Sequence, residues 1–176
     1  MRYAAFLRAV NLGRSRRVSG ADLCAIFEGL GLEDVASFRT SGNLVFDAPR
    51  DMTAQIEKAL ESTLGYDVGV FLRTADEVRE IASHQPFKPA ETKASKGKLQ
   101  VSMLPAKPSA AKRKQVLAFA TDQDRLAFGK RELYWLPSGG TMEAELDRKA
   151  IDALLGPTTM RTKGTVEQLA AKFFGK

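Results

Sequence analysis

The period of the apolar positions changes several times along the chain. Residues 3–8 form a short apolar and aromatic run of strand length, followed over residues 9–18 by a polar loop rich in Arg and Gly. Behind Ser19, the apolar positions Leu23, Ile26, Phe27 and Leu30 recur at helical spacing. Ser19 with Asp22 has the form of a capping box, and Gly29 and Gly31 supply the stop. Residues 34–39 and 44–47 read as two strands around Thr40-Ser41-Gly42-Asn43, a composition suited to a hairpin turn. A second helix over residues 52–64 is expected to bury Ile56, Ala59, Leu60 and Thr63 and to stop at Gly65, after which residues 68–73 are strand-like again.

The order β-α-β-β-α-β is that of the ferredoxin-like sandwich, a four-stranded antiparallel sheet with two helices on one face. Thr74 and Glu77 cap a further helix over residues 74–83, and residues 86–97 form a Lys- and Pro-containing connection without periodicity. Beyond it the pattern predicts a strand at 99–104, a helix at 109–120, a hairpin of 125–129 with 132–136, and helices at 147–155 and 166–174. That order approximates a second copy of the first unit, with no residue-level repeat between the halves. The expected fold is therefore α+β: two ferredoxin-like α/β sandwich units, antiparallel sheets with helices on one face, the second irregular. The expected boundaries are 1–85 for the N-terminal unit, 86–98 for a basic connection and 99–176 for the C-terminal unit.

Composition narrows the class. The chain has 176 residues, 44% of them hydrophobic and 27% charged, which is globular rather than disordered. No window approaches the roughly 18 to 20 apolar residues that cross a bilayer, so the expectation is a cytoplasmic protein with no membrane partner. A single Cys (Cys24) and a single His (His84) leave no disulfide and no Cys/His zinc set. No metal is expected, and the sequence names no cofactor.

Net charge is +6 and unevenly spread: residues 1–20 hold five Arg and no acid, residues 88–114 eight basic residues against Glu91, and residues 157–176 four against Glu167. Such segregation favours an anionic small molecule or nucleic acid as partner. Phosphate loop, dinucleotide fingerprint and nucleophile elbow are all absent, and Cys24 beside Leu23 reads as packing rather than half of a dyad with His84.

Three polar segments are left as candidate sites. The first, Arg8-Ala-Val-Asn11-Leu-Gly13-Arg14-Ser-Arg16-Arg17, joins a strand to a helix N-terminus, where free N–H groups and the dipole suit an anion. The second is the hairpin turn after Arg39. In a β-α-β-β sandwich the first two strands run the same way, so both segments leave one sheet edge. Arg8, Asn11, Gly13, Arg39, Ser41 and Asn43 would then converge, with Arg17 and Gly42 beside them. The third, residues 158–168, reads as a basic loop holding Arg161 and entering a helix capped by Thr165 and Gln168.

Phe6-Leu-Arg-Ala-Val-Asn-Leu-Gly13, Ser41-Gly-Asn-Leu-Val-Phe46 and Thr159-Met-Arg-Thr-Lys-Gly-Thr-Val166 resemble the markers of one bacterial family, that of domain of unknown function 1697. The resemblance implies ferredoxin-like α/β units and carries no activity, ligand or cofactor with it. Arg8, Asn11, Gly13, Ser41, Gly42, Asn43, Arg161 and Thr165 match its pattern. Arg14 stands where the family commonly has a second Gly, and Thr162-Lys163 where many members have Asn-Trp, so a ligand touching that pair would differ here.

The functional expectation is a binding protein for a phosphate-bearing anion, a nucleotide or nucleic acid, at the edge formed by the two N-terminal loops. No aromatic RNP pattern marks the strands, which favours a small anion over RNA. The alternatives are an enzyme using the same pocket, with Asp47 or Glu143 as proton carrier, and a structural or homo-oligomeric interaction protein.

Overall fold

Arg2 to Arg8 carry five buried side chains in a row, and a strand covered on both faces belongs in the middle of a sheet. The computed structural model describes residues 1–10, 17–39, 42–142 and 144–175. It places this strand, β1 (Arg2–Arg8), between two antiparallel neighbours, β3 (Asn43–Asp47) and β4 (Gly69–Thr74). With β2 (Glu33–Ser37) outside β3, the order is β2-β3-β1-β4, the ferredoxin-like order.

The helices follow from their caps. Helix α1 (Gly20–Glu28) starts where Asp22 N–H donates to the Ser19 hydroxyl at 3.0 Å, and α2 (Thr53–Leu64) stops at Gly65, whose φ of 83° few other residues adopt. They set Leu23, Phe27, Ile56 and Leu60 on the sheet face formed by Tyr3, Ala5, Leu7, Leu44, Phe46 and Leu72. Phe27 meets Phe46 edge-on, 5.4 Å between ring centroids. Thr63, expected in this stripe, is exposed, because α2 turns that position toward solvent as it ends.

The second sheet is built from β5 (Gln100–Met103), β6 (Asp124–Phe128), β7 (Glu132–Pro137) and β8 (Thr159–Thr162), in the order β6-β7-β5-β8. With α5 (Ala110–Leu117) and α6 (Arg148–Leu155) it repeats the first unit strand for strand. The irregularity expected of this half came from reading residues 158–162 as loop. They are the fourth strand, antiparallel to β5 with Arg161 opposite Val101. A second correction lies in the connection, where α4 (Pro89–Ala94) forms a short helix because Pro89 sits at its first position and Glu91 reaches back to the Lys88 N–H.

The two remaining helices, α3 (Ala75–Ser83) and α7 (Lys163–Phe173), each follow a last strand directly. The chain divides into compact units Met1–Arg79 with Leu169–Lys176, and Glu80–Gln168. That differs from the boundary expected at 86–98 and assigns the C-terminal residues to the first unit. Arg79 Nε donates to the Phe174 carbonyl at 2.7 Å, and Phe173 meets Phe38 edge-on at 6.0 Å. Among the described residues, no helix is long and apolar enough to cross a membrane.

Candidate functional site

β1 and β2 are both antiparallel to β3, so they run the same way and end at the same edge of the sheet. A backbone bond ties the end of β1 to the hairpin turn where β3 begins: Leu7 N–H donates to the Gly42 carbonyl at 2.9 Å. Gly42 has φ 75°, and a Cβ there would lie 2.9 Å from Val10 Cγ1 and 3.1 Å from Leu7 Cβ. Only glycine lets the hairpin turn close onto the end of β1.

Asn43, 1% exposed, donates from Nδ2 to the Phe38 carbonyl at 3.1 Å, while Phe38 N–H donates to the Asn43 carbonyl at 2.8 Å. Its amide holds the turn in shape from inside. Gly42 and Asn43 therefore build the edge, and the charges on it come from elsewhere.

Those charges are arginines. Arg8 ends β1 opposite Gly69, is exposed, and has no ion pair among the described residues. Arg39 is exposed on the hairpin with φ 61°, its guanidinium 5.4 Å over the Phe38 ring. β3 lies between the two strands, so their ends are about 10 Å apart, a gap two arginine side chains can bridge. Arg17, also exposed, precedes the Ser19 cap of α1. Asn11, Gly13 and Ser41 lie outside the described residues.

One contact at this edge has no signature in the sequence. The Tyr66 hydroxyl donates to the Val10 carbonyl at 2.6 Å, across 56 residues, and so pins the exit of β1. The turn from Gly65 also carries Asp67, whose charge adds to partial burial, the larger cause, in holding the Glu57 carboxyl above its ordinary range. Asp47, one proton carrier of the enzyme alternative, is not placed at this edge. Asp47 pairs with Arg2 at 3.5 Å, at the far end of β1 and about 20 Å from Arg8 along the strand, and Glu143 lies outside the described residues.

In the second unit, Arg161 is drawn into the β8 surface rather than presented on a loop. It donates from Nη1 to the Thr159 hydroxyl at 2.8 Å and the Met160 carbonyl at 2.9 Å. Burial lowers its pKa to about 10, well above neutral pH, so it stays charged. The cap of α7 is Thr162 rather than Thr165: Thr165 N–H donates to the Thr162 hydroxyl at 3.2 Å, and the two hydroxyls are 2.8 Å apart. The same device starts α3, where Thr74 and Glu77 exchange bonds of 2.8 and 3.2 Å. Arg73-Thr74 and Arg161-Thr162 thus occupy equivalent places, each Arg on a last strand and each Thr at a helix start.

Trp135 packs inside the second sheet, 1% exposed, its indole N–H donating to the buried Asp124 carboxylate at 2.9 Å. His84 follows the end of α3, its ring 5.0 Å from that of Tyr134. Among the described residues, no group of three or more His, Cys, Asp or Glu is placed to hold a metal ion.

A conserved bacterial protein from Streptococcus pneumoniae, of known structure, superimposes with a TM-score of 0.68 over 96% of each chain at 21% identity, a likeness of fold. No curated protein matches the chain. The model of the family described as "Protein of unknown function (DUF1697)" matches residues 1–134, which contain β1, its arginine-bearing exit and the hairpin, and the chain belongs to that family.

Proposed function

We propose that this protein binds a small phosphate-bearing anion, of nucleotide class, at the sheet edge where β1 and β2 end. The observation that carries the reading is the pair of backbone bonds, Leu7 to Gly42 and Phe38 to Asn43, that hold the arginine-bearing ends of β1 and β2 on either side of the start of β3. Arg8 and Arg39 flank the edge as charged donors able to grip phosphate oxygens in pairs, and Arg17 adds a third charge from the approach to α1. Asn11, Gly13 and Ser41 belong to the proposed contacts because they share these two segments. Asn43, Gly42, Arg161 and Thr165 are assigned to holding the fold, since their bonds are made within it.

The reading is tested by titrating pyrophosphate, ADP and a short single-stranded RNA into wild type and Arg8→Ala at low and high salt. The expected result is saturable binding of ADP or pyrophosphate that falls at least tenfold in the variant. RNA binding that salt abolishes equally in both proteins would be non-specific attraction. That result, without ADP or pyrophosphate binding, overturns the reading.

A further inference from the structure

The helix layer of the second unit is thinner than that of the first. In the first unit, α1 and α2 bury two side chains each against a sheet whose Tyr3 and Phe46 fill the space between. In the second, α5 buries only Val116 and α6 only Ile151. The space not filled is a cavity of about 360 Å³ between α6 and the sheet. That volume lies within the range of pockets that hold small organic ligands.

Its floor is apolar, formed by Leu126, Leu133, Trp135, Ile151 and Met160. Its mouth is charged: Arg148, Lys149 and Asp152 on α6 line it, and all three are exposed. The Arg148 guanidinium lies 5.5 Å over the Trp135 ring, which places a cation beside the aromatic part of the floor. Two cations against one carboxylate leave the mouth with a single net positive charge, which suits one negative charge and not the several of a polyphosphate. An apolar floor rejects a small inorganic anion, whose hydration it could not replace.

We infer that this cavity is a second binding site, for a monocarboxylate with a medium-chain aliphatic body: the chain lies on the Leu, Ile and Met floor and the carboxylate at the mouth meets Arg148 and Lys149. It is independent of the phosphate edge on the first unit.

Trp135 is the single tryptophan of the chain, so its emission reads occupancy directly. The experiment titrates the full-length protein with decanoate below its micelle-forming concentration, with decanol and inorganic phosphate as comparisons. The expected result is a saturable change of Trp135 emission with decanoate, at an affinity at least tenfold above that for decanol, and no response to phosphate. The double variant Arg148→Gln/Lys149→Gln lowers decanoate affinity at least tenfold. Ser102→Leu, which places a larger side chain into the cavity wall, removes the response, with circular dichroism confirming the fold. No saturable change with decanoate overturns the inference. So does an equal response to decanol, or decanoate binding unaltered in both variants.

Discussion

At the scale of single residues, the edge where β1 and β2 end is shaped by backbone conformations with positive φ. Ala9, Arg39 and Gly42 all have positive φ, and they flank the two strand exits. For Gly42 the angle is free of strain. For Arg39, at φ 61°, the left-handed region costs about 1 to 2 kcal/mol relative to glycine. Comparing Arg39→Gly with Arg39→Ala separates the two roles. Both lose the guanidinium over Phe38, but only the glycine relieves the backbone, so the glycine variant is expected to be more stable than the alanine variant by about 1 kcal/mol in urea unfolding. Both lose ADP or pyrophosphate affinity alike. Equal stability of the two variants would mean the left-handed conformation is not enforced. Residue chemistry of this kind was partly legible in the sequence, which marks Arg8 and Arg39 as cationic and Gly42 as a turn former. The structural duty of Asn43 was not, because it depends on near-complete burial and a bond to Phe38.

At the scale of elements, strong periodicity and caps carried the reading of the first unit. β1, α1, the hairpin and α2 appear within a few residues of where apolar spacing and Ser19 or Gly65 put them. The elements that escaped notice have the opposite character. β8 is four residues, Thr-Met-Arg-Thr, with no apolar alternation, and its one buried position is Thr159, with Arg161 half-buried. α4 is six residues held by one proline and one carboxylate. The cap of α7 was displaced by three residues for the same reason: a strand ending in Thr162 passes straight into the helix, so Thr162 occupies the position a loop residue would otherwise hold. Its equivalence to Thr74 yields a matched pair of predictions. Thr74→Ala and Thr162→Ala each remove a hydroxyl that accepts a helix N–H, and each is expected to cost about 1 kcal/mol, measured by thermal unfolding. Thr165→Ala leaves that N–H bond in place and is expected to cost less than half as much. If Thr165→Ala proved the more damaging, the cap would lie at Thr165 as the sequence alone suggests.

At the scale of the whole chain, element order was enough to suggest duplication, and the strand orders β2-β3-β1-β4 and β6-β7-β5-β8 bear it out. What no local pattern could convey is membership. Residues 169–175 follow the second unit in sequence yet belong to the first, through contacts such as Arg79 to Phe174 that span 95 residues. The cavity beside Trp135 was equally hidden, since its walls are gathered from residues 102 to 160. The assignment of the C-terminal segment makes a definite prediction. Phe174 is 2% exposed and Leu169 fully buried, so the segment assigned to the first unit buries two large apolar side chains. Phe174→Ala is expected to cost about 3 to 5 kcal/mol. Hydrogen exchange locates where that loss is felt: amides of β1 and β3 should lose protection first, because opening of the first unit no longer has to expose the missing ring. A loss confined to β5 and β7 would instead assign the final turn of α7 to the second unit, and the division of the chain at Gln168 would be wrong.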